Sequence, residues 1–334
     1  MSQRPIKDLV MSRKRFARNH RRSNIKGNIG LVTVSVFLFT SLLFGCNTAR
    51  ELSPASQEIS QDNTDKVTTQ IKPEADERKE IQPADKKETL GQTEEIWREP
   101  ITGMEFIRVP GGCYEMGCGS WVGDCDNDSK PAHEVCVDGF WIARYEVTLD
   151  QWMKIIKFNR PEIGKAPNHP VENISWDDAK EFIELLNATS NDGFIFRLPT
   201  EVEWEYACRS GGKPEVYAGS NEIEAVAWYR ENSDKRTHRV GSKGPNGLGI
   251  YDMSGNVREW CEDRYSEAAY SQHQHNNPIN TGGSYYRLIR GGSRLDRPVN
   301  VRCTNRIPNL PAGSSFILGF RLARTPYSKE KSAE

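Results

Sequence analysis

Three stretches of the chain combine an apolar stripe with the polar residues that begin a helix. In SWDDAKEFIELLN (residues 175–187) a serine stands three positions before an aspartate, and apolar residues then recur at helical spacing. TLDQWMKII (148–156) and TEVEWEYAC (200–208) have threonine three positions before glutamine or glutamate. The hydroxyl accepts a bond from the third amide and the third side chain returns one, which is a capping box. The pattern predicts helices that begin after Thr148, Ser175 and Thr200.

Short apolar segments between glycine-rich loops predict strands. They are FIRVPGG (106–112), FWIARYEV (140–147), FIFRLP (194–199) and GFRLA (319–323). Together with the three helices they indicate an α+β fold with few helices, little regular sheet and much ordered loop.

Residues 1–46 have the pattern of a secretory signal peptide. A basic stretch precedes the apolar run 30–45, which is shorter than the roughly 20 residues of a membrane span. LFGC (43–46) resembles a bacterial lipobox, so we expect acylation of Cys46, a membrane-anchored lipoprotein and, in a cell with two membranes, sorting to the outer membrane. The alternative is a single N-terminal transmembrane anchor. Either arrangement places the rest of the chain outside the cytoplasm.

The remaining chain divides by composition. Residues 47–95 are polar with isolated apolar positions, which predicts a disordered linker. Tryptophan, glycine and aromatic residues become dense from Trp97, so we expect one domain at 97–326 and a short tail at 327–334. The formal net charge of -1 gives no reason to expect a nucleic-acid partner.

The chain has eight cysteines, and seven remain if Cys46 carries lipid. An extracytoplasmic compartment permits disulfides, and an odd number leaves one thiol unpaired. Cys113, Cys118, Cys125 and Cys136 are spaced too widely for a typical zinc site. Three connectivities are open to these four, and we prefer the nested pairs Cys113–Cys136 and Cys118–Cys125.

Seven motifs occur in a fixed order along the chain. They are FIRVPGGCYEMG, PAHEVCVDGFWIARYEVTLDQW, PVENISWDDAKEFIELLN, FRLPTEVEWEYACRSGG, GPNGLGIYDMSGNVREW, RGGS and LGFRLAR. Together they resemble the formylglycine-generating enzyme family, the sulfatase-modifying factor domain, over about residues 105–324. The resemblance implies a variant of the C-type-lectin-like fold. Because the fold also occurs in siderophore-maturation proteins and in ligand-binding proteins without known catalysis, function has to be argued from the site.

Oxidase members of the family hold copper(I) with two cysteines, three and eight residues after the serine of GGS. Counting forward from Ser293 gives Asp296 and Val301 at these positions. Counting back from Cys303, taken as the family's structural cysteine five residues beyond the second, gives Pro298 and Ser293 instead, and neither register supplies the soft thiolate that copper(I) prefers. The resemblance therefore implies that the oxidase site is missing and that copper is not expected.

The same resemblance implies a third disulfide. It pairs the cysteine of EWEYACR with that of RCTNR, which are Cys208 and Cys303, and leaves Cys261 as the odd thiol. The link would clamp the third predicted helix to the arginine-rich loop after RGGS.

The resemblance also implies a structural calcium site in YDMSGNVREW. Its ligands would be the carboxylates of Asp252 and Glu259 and the main-chain oxygens of Gly255 and Val257. Calcium takes six to eight oxygen ligands of these kinds. The alternative is that Asp252 caps the turn and Glu259 pairs with an arginine such as Arg290.

The loop after RGGS suggests a ligand-binding surface. Its polar residues include Arg294, Asp296, Arg297 and Asn300. An arginine fork suits carboxylate or phosphate, so we expect an extracytoplasmic, lipid-anchored module that binds a protein, peptide or glycan ligand and lacks formylglycine-generating activity. One alternative is that these residues only bridge loops of the domain, with Arg302 and Arg306 bonding carbonyls. Another is an oxidoreductase or maturation enzyme of the same fold with altered chemistry.

Overall fold

The structure is a computed structural model, and it describes residues 95–157 and 166–327. The predicted signal peptide with Cys46, the linker up to residue 94 and the tail from residue 328 lie outside the described residues. No helix within the described ranges is long and apolar enough to cross a membrane.

The three predicted helices are confirmed, each with its capping box. The helices are α1 (Leu149–Ile155), α2 (Trp176–Asn187), α3 (Glu201–Cys208) and the single turn α4 (Ile223–Val226). In α2 the apolar stripe is buried, since Ala179, Phe182, Ile183 and Leu186 all face the core. Chain reversal after α3 uses Gly211 and Gly212, both in the left-handed region that glycine adopts without strain.

Within the described residues, eleven short strands form three sheets. They are β1 (Ile96–Arg98), β2 (Glu105–Val109), β3 (Gly112–Met116), β4 (His133–Val137), β5 (Phe140–Ala143), β6 (Phe194–Arg197), β7 (Arg258–Arg264), β8 (Arg287–Arg290), β9 (Ile307–Asn309), β10 (Leu318–Gly319) and β11 (Ala323–Pro326). An antiparallel five-stranded sheet has the order β1-β2-β5-β11-β6, a four-stranded sheet the order β10-β7-β8-β9, and β3 pairs with β4. The segment GFRLA is not one strand as predicted, because it spans the end of β10 and the beginning of β11.

The sheets separate two clusters of buried side chains. On β7, Cys261 belongs to the cluster around α3, whereas its neighbour Trp260 belongs to the cluster around α1 and α2. On β8, Leu288 and Ile289 divide in the same way, because successive side chains of a strand point to opposite faces. Both faces of β7 and β8 are therefore covered, and the loops that leave these strands begin from a rigid base.

Candidate functional site

The loop 293–306, which we call the arginine loop, follows a turn at Gly291 and Gly292 directly after β8. Gly291 and Gly292 have φ of 85° and 66°. A Cβ at Gly292 would lie 2.4 Å from the carbonyl oxygen of Asn300, so a larger residue cannot occupy this position without moving the backbone. The turn therefore keeps the start of the arginine loop in close contact with the main chain at Asn300.

Asp296 is the first thiol position of the resemblance when counted forward from Ser293, and its side chain is an internal ion-pair partner. Arg258, at the start of β7, donates to its two carboxylate oxygens at 2.8 and 2.6 Å, and the Ser293 hydroxyl donates at 2.7 Å. Val301, at the second position, is fully buried in the 3₁₀ turn Pro298–Val301. In this register a bidentate ion pair stands at the first sulfur position and a buried valine at the second.

Three disulfides cross-link the described residues. They are Cys113–Cys136, Cys118–Cys125 and Cys208–Cys303. These are the pairs that the sequence analysis preferred or inferred, and they indicate an extracytoplasmic protein. Among the described residues Cys261 is the one free cysteine; it is fully buried, and burial raises the pKa of its thiol well above its usual value.

Of the four predicted ligand-binding side chains, Arg297 alone is exposed and Asn300 is half-buried. Asp296 is engaged as described above. Arg294 is only 4% exposed, with Nη1 3.2 Å from a carboxylate oxygen of Glu172 and its guanidinium 5.6 Å from the ring centre of Phe316. Arg294 and Asp296 therefore have internal partners, which corrects the expectation that they face a ligand.

The acids of α3 hold the other arginines of this region. Arg306 donates to both carboxylate oxygens of Glu201 at 2.6 and 2.9 Å, and Arg290 bridges Glu201 (3.1 Å) and Glu205 (2.6 Å). All four side chains are at least nine-tenths buried. Burial alone would raise the pKa of Glu201, but the adjacent Arg306 and Arg290 lower it to about 2. These charges stabilise the fold only while they remain paired.

The segment between β3 and β4 packs on the outside of the arginine loop. Arg302 donates to the carbonyl of Asp124 at 2.6 Å, and Arg306 donates to the carbonyl of Asp128 at 2.7 Å. The disulfide Cys118–Cys125 closes this segment. The bridging role that the sequence left as an alternative for Arg302 and Arg306 is the one that the structure forms.

The predicted calcium ligands fit an ion only in part. Glu259 is engaged, because Arg321 donates to both its oxygens at 2.7 Å and the Trp204 indole donates at 2.7 Å. Asp252 accepts a bond from the amide of Gly241 at 2.6 Å, but its Oδ1 is buried without a hydrogen-bond partner, and burial raises its pKa to about 6. No group of three or more His, Cys, Asp or Glu side chains within residues 95–157 and 166–327 could hold a metal. The unpartnered Oδ1 of Asp252 is suited to coordinate a cation, whereas both carboxylate oxygens of Glu259 already accept hydrogen bonds from Arg321.

Sequence reasoning missed the acidic partners. Glu201 and Glu205 stand four residues apart on α3, where their side chains are neighbours. Their flanking residues Val202, Trp204 and Tyr206 are all buried. Two acids four apart, each next to apolar residues of the helix, were the signal, since buried carboxylates need buried cations.

The domain has few helices, modest sheets and long ordered loops. These features place it in the C-type-lectin-like class of the formylglycine-generating enzymes, and a solved structure supports this likeness. PvdO from Pseudomonas aeruginosa superimposes with a TM-score of 0.62 at 25% identity, covering 69% of this chain and 97% of PvdO. The model of the "Sulfatase-modifying factor enzyme 1-like domain" family matches residues 92–326. The chain therefore belongs to the sulfatase-modifying factor family.

Two relatives show the range of this family. The chaperone protein LppX of Paenibacillus barcinonensis is 34% identical, covering 56% of this chain and 78% of LppX. The formylglycine-generating enzyme of Streptomyces coelicolor is 36% identical, covering 49% of this chain and 55% of the enzyme. The chain thus spans little more than half of that enzyme.

Glu201 should make the fold sensitive to acid. Its pKa lies at about 2 in the folded protein against an ordinary 4.5. A lowered folded-state pKa means that the stabilisation is complete above pH ~4.5 and is lost as the pH falls toward 2. The shift corresponds to about 3 kcal/mol of unfolding free energy, which urea unfolding at stepwise lower pH measures.

The variant Glu201→Gln should lose this part of the pH dependence. It should also be less stable at neutral pH, because Arg290 and Arg306 then keep buried charges without a full counter-charge. The exposed Glu267→Gln serves as the control and should follow the wild-type curve. If the unfolding free energy of Glu201→Gln fell at low pH as steeply as that of the wild type, the assignment of the acid sensitivity to Glu201 would be wrong.

Proposed function

We propose that this chain is an extracytoplasmic, lipid-anchored ligand-binding or interaction module that lacks formylglycine-generating oxidase activity. The observation that carries the proposal is the Arg258–Asp296–Ser293 cluster, in which an ion pair stands at the first thiol position of the oxidases. A copper(I) bis-thiolate needs two sulfur ligands. Cys261, the one free thiol among the described residues, is buried.

The comparisons support an interaction role and keep one alternative. A relative named as a chaperone protein is covered over 78% of its length, which favours binding to another molecule without chemistry. Relatives named as formylglycine-generating enzymes favour the alternative, an oxidoreductase or maturation enzyme with altered chemistry. The side chains of the arginine loop favour the interaction role, because neither Asp296 nor the buried Val301 offers a redox-active group.

Absence of oxidase activity is directly measurable. The purified protein, supplied with copper(I) and a sulfatase peptide that contains the target cysteine, should form no aldehyde above a copper-only control. The Streptomyces coelicolor enzyme in the same assay is the positive control. Aldehyde formed by the wild type and lost in Cys261→Ser would show that an oxidase site survives in another geometry.

Lipid anchoring rests on the lipobox-like sequence at residues 43–46. Cys46→Ala should leave the precursor unprocessed or release the protein from membranes, as fractionation and mass spectrometry of the N-terminus would show. A conservative control is Ser41→Ala in the apolar run, which should be processed normally. Full processing and membrane retention of Cys46→Ala would contradict lipidation at this site.

We also propose a structural calcium ion at Asp252, held by its orphaned carboxylate oxygen and by main-chain oxygens of Gly255 and Val257, with Glu259 retained by Arg321. The support is the buried Oδ1 that lacks a hydrogen-bond partner. A bound ion stabilises the folded state in proportion to the logarithm of its concentration over its dissociation constant.

Thermal melting in chelator and in millimolar calcium tests this proposal. The midpoint should rise with calcium in the wild type and stay constant in Asp252→Asn. The exposed Asp138→Asn is the matched control and should keep the calcium response. A wild-type midpoint that is the same in chelator and calcium would mean that hydrogen bonds alone hold the loop.

A further inference from the structure

One stretch of exposed basic residues is not used by the fold. The basic face consists of Arg230, Lys235, Arg236, Arg239 and Arg297, all exposed. The same stretch contains two acids, Glu231 and Asp234, and Asp234 forms a solvent-exposed pair with Arg236 at 3.3 Å. Five positive and two negative side chains leave this face basic on a chain that is almost neutral overall.

Hydrogen bonds to main-chain carbonyls bring the segment that contains Arg230 and Lys235 beside Arg297. The amide of Arg230 donates to the carbonyl of Asp296 at 3.0 Å, next to Arg297. Further along, the Ser233 hydroxyl donates to the carbonyl of Arg294 at 2.7 Å, and Arg294 Nε donates to the carbonyl of Lys235 at 3.3 Å. Segment 230–235 therefore lies directly beside the start of the arginine loop.

The exposed and buried arginines of this region differ in their partners. Arg258, Arg294 and Arg306 each face a buried carboxylate. The surface pair of Arg236 with Asp234 is solvated on both sides, and such pairs contribute little to stability. Long cationic side chains that stabilise nothing internally remain available to an anionic partner.

We propose that the basic face contacts the anionic surface of the membrane that carries the protein. This inference rests on the proposed lipid anchor, because a flexible chain of about 50 residues, the length predicted between anchor and domain, typically has an end-to-end distance of about 40 Å. At that range headgroups are present at high effective concentration. Each lysine or arginine near an anionic surface contributes about a fivefold gain in binding. The contact fixes which side of the domain is turned away from the membrane.

The test uses the polypeptide from Asn47 to Glu334, which lacks Cys46 and therefore carries no lipid. Co-sedimentation is measured with vesicles of phosphatidylcholine alone and of equal parts of phosphatidylcholine and phosphatidylglycerol. The variant is Arg230→Gln/Arg236→Gln/Arg297→Gln. Its control, Arg108→Gln/Lys130→Gln/Lys213→Gln, removes the same charge from exposed positions elsewhere.

The wild type should sediment with the anionic vesicles, dissociate from them at high salt and stay in the supernatant when only neutral vesicles are present. The basic-face variant should bind at least tenfold more weakly, with an unchanged circular dichroism spectrum, and the control variant should bind like the wild type. Equal loss in the two variants, equal binding to both vesicle types, or binding only to a soluble anionic polysaccharide would each overturn the proposal. Lipidation at Cys46 and the absence of oxidase activity are tested by separate experiments. The membrane contact can therefore be disproved while both of those proposals stand.

Discussion

The buried ion pairs between α3 and the arginines of β8 and the arginine loop are the constraint on which this domain depends. Glu201 and Glu205 are fully enclosed, and their charges are tolerable only because Arg290 and Arg306 approach within hydrogen-bonding distance. Each arginine also donates to main-chain carbonyls, so the pairs connect the helix, the strand and the loop. The Cys208–Cys303 disulfide joins α3 and the arginine loop covalently. A loop with little regular secondary structure is thereby held in one conformation.

That constraint separates positions that serve the fold from positions open to function. In the oxidases of the family the arginine loop would supply metal ligands, whereas here Asp296 completes an ion pair with Arg258. A carboxylate enclosed by a guanidinium and a hydroxyl is poorly placed to bind a ligand or transfer a proton. Function in this chain therefore has to be sought on exposed side chains beside the loop.

The sequence predicted features that depend on local chemistry. Capping boxes at Thr148, Ser175 and Thr200 involve residues three positions apart, and all three helices begin there. The strands β2, β5 and β6 followed from apolar runs, whereas GFRLA bridges two strands and β7 and β8, which lead into the site, were not predicted. Partner choice across the fold was not predictable, because the acids that pair with Arg294 and Arg321 lie more than 60 residues away in the chain. Composition shows that charges must be paired but not which pairs form.

Arginine illustrates why the candidate site was only partly predictable. Within the arginine loop Arg294, Arg302 and Arg306 bond internal groups, while Arg297 is exposed. Nothing in the residue type distinguishes these cases, because the same guanidinium satisfies carbonyls, carboxylates or water. The distinction comes from what packs above the loop. The segment closed by Cys118–Cys125 covers Arg302 and Arg306, whereas segment 230–235 meets the loop through the amide of Arg230 and the buried Ser233 hydroxyl and leaves the side chains of Arg230 and Lys235 exposed. The proposed interaction surface would use the exposed cations at that junction, because the backbone hydrogen bonds beside them are already formed within the domain.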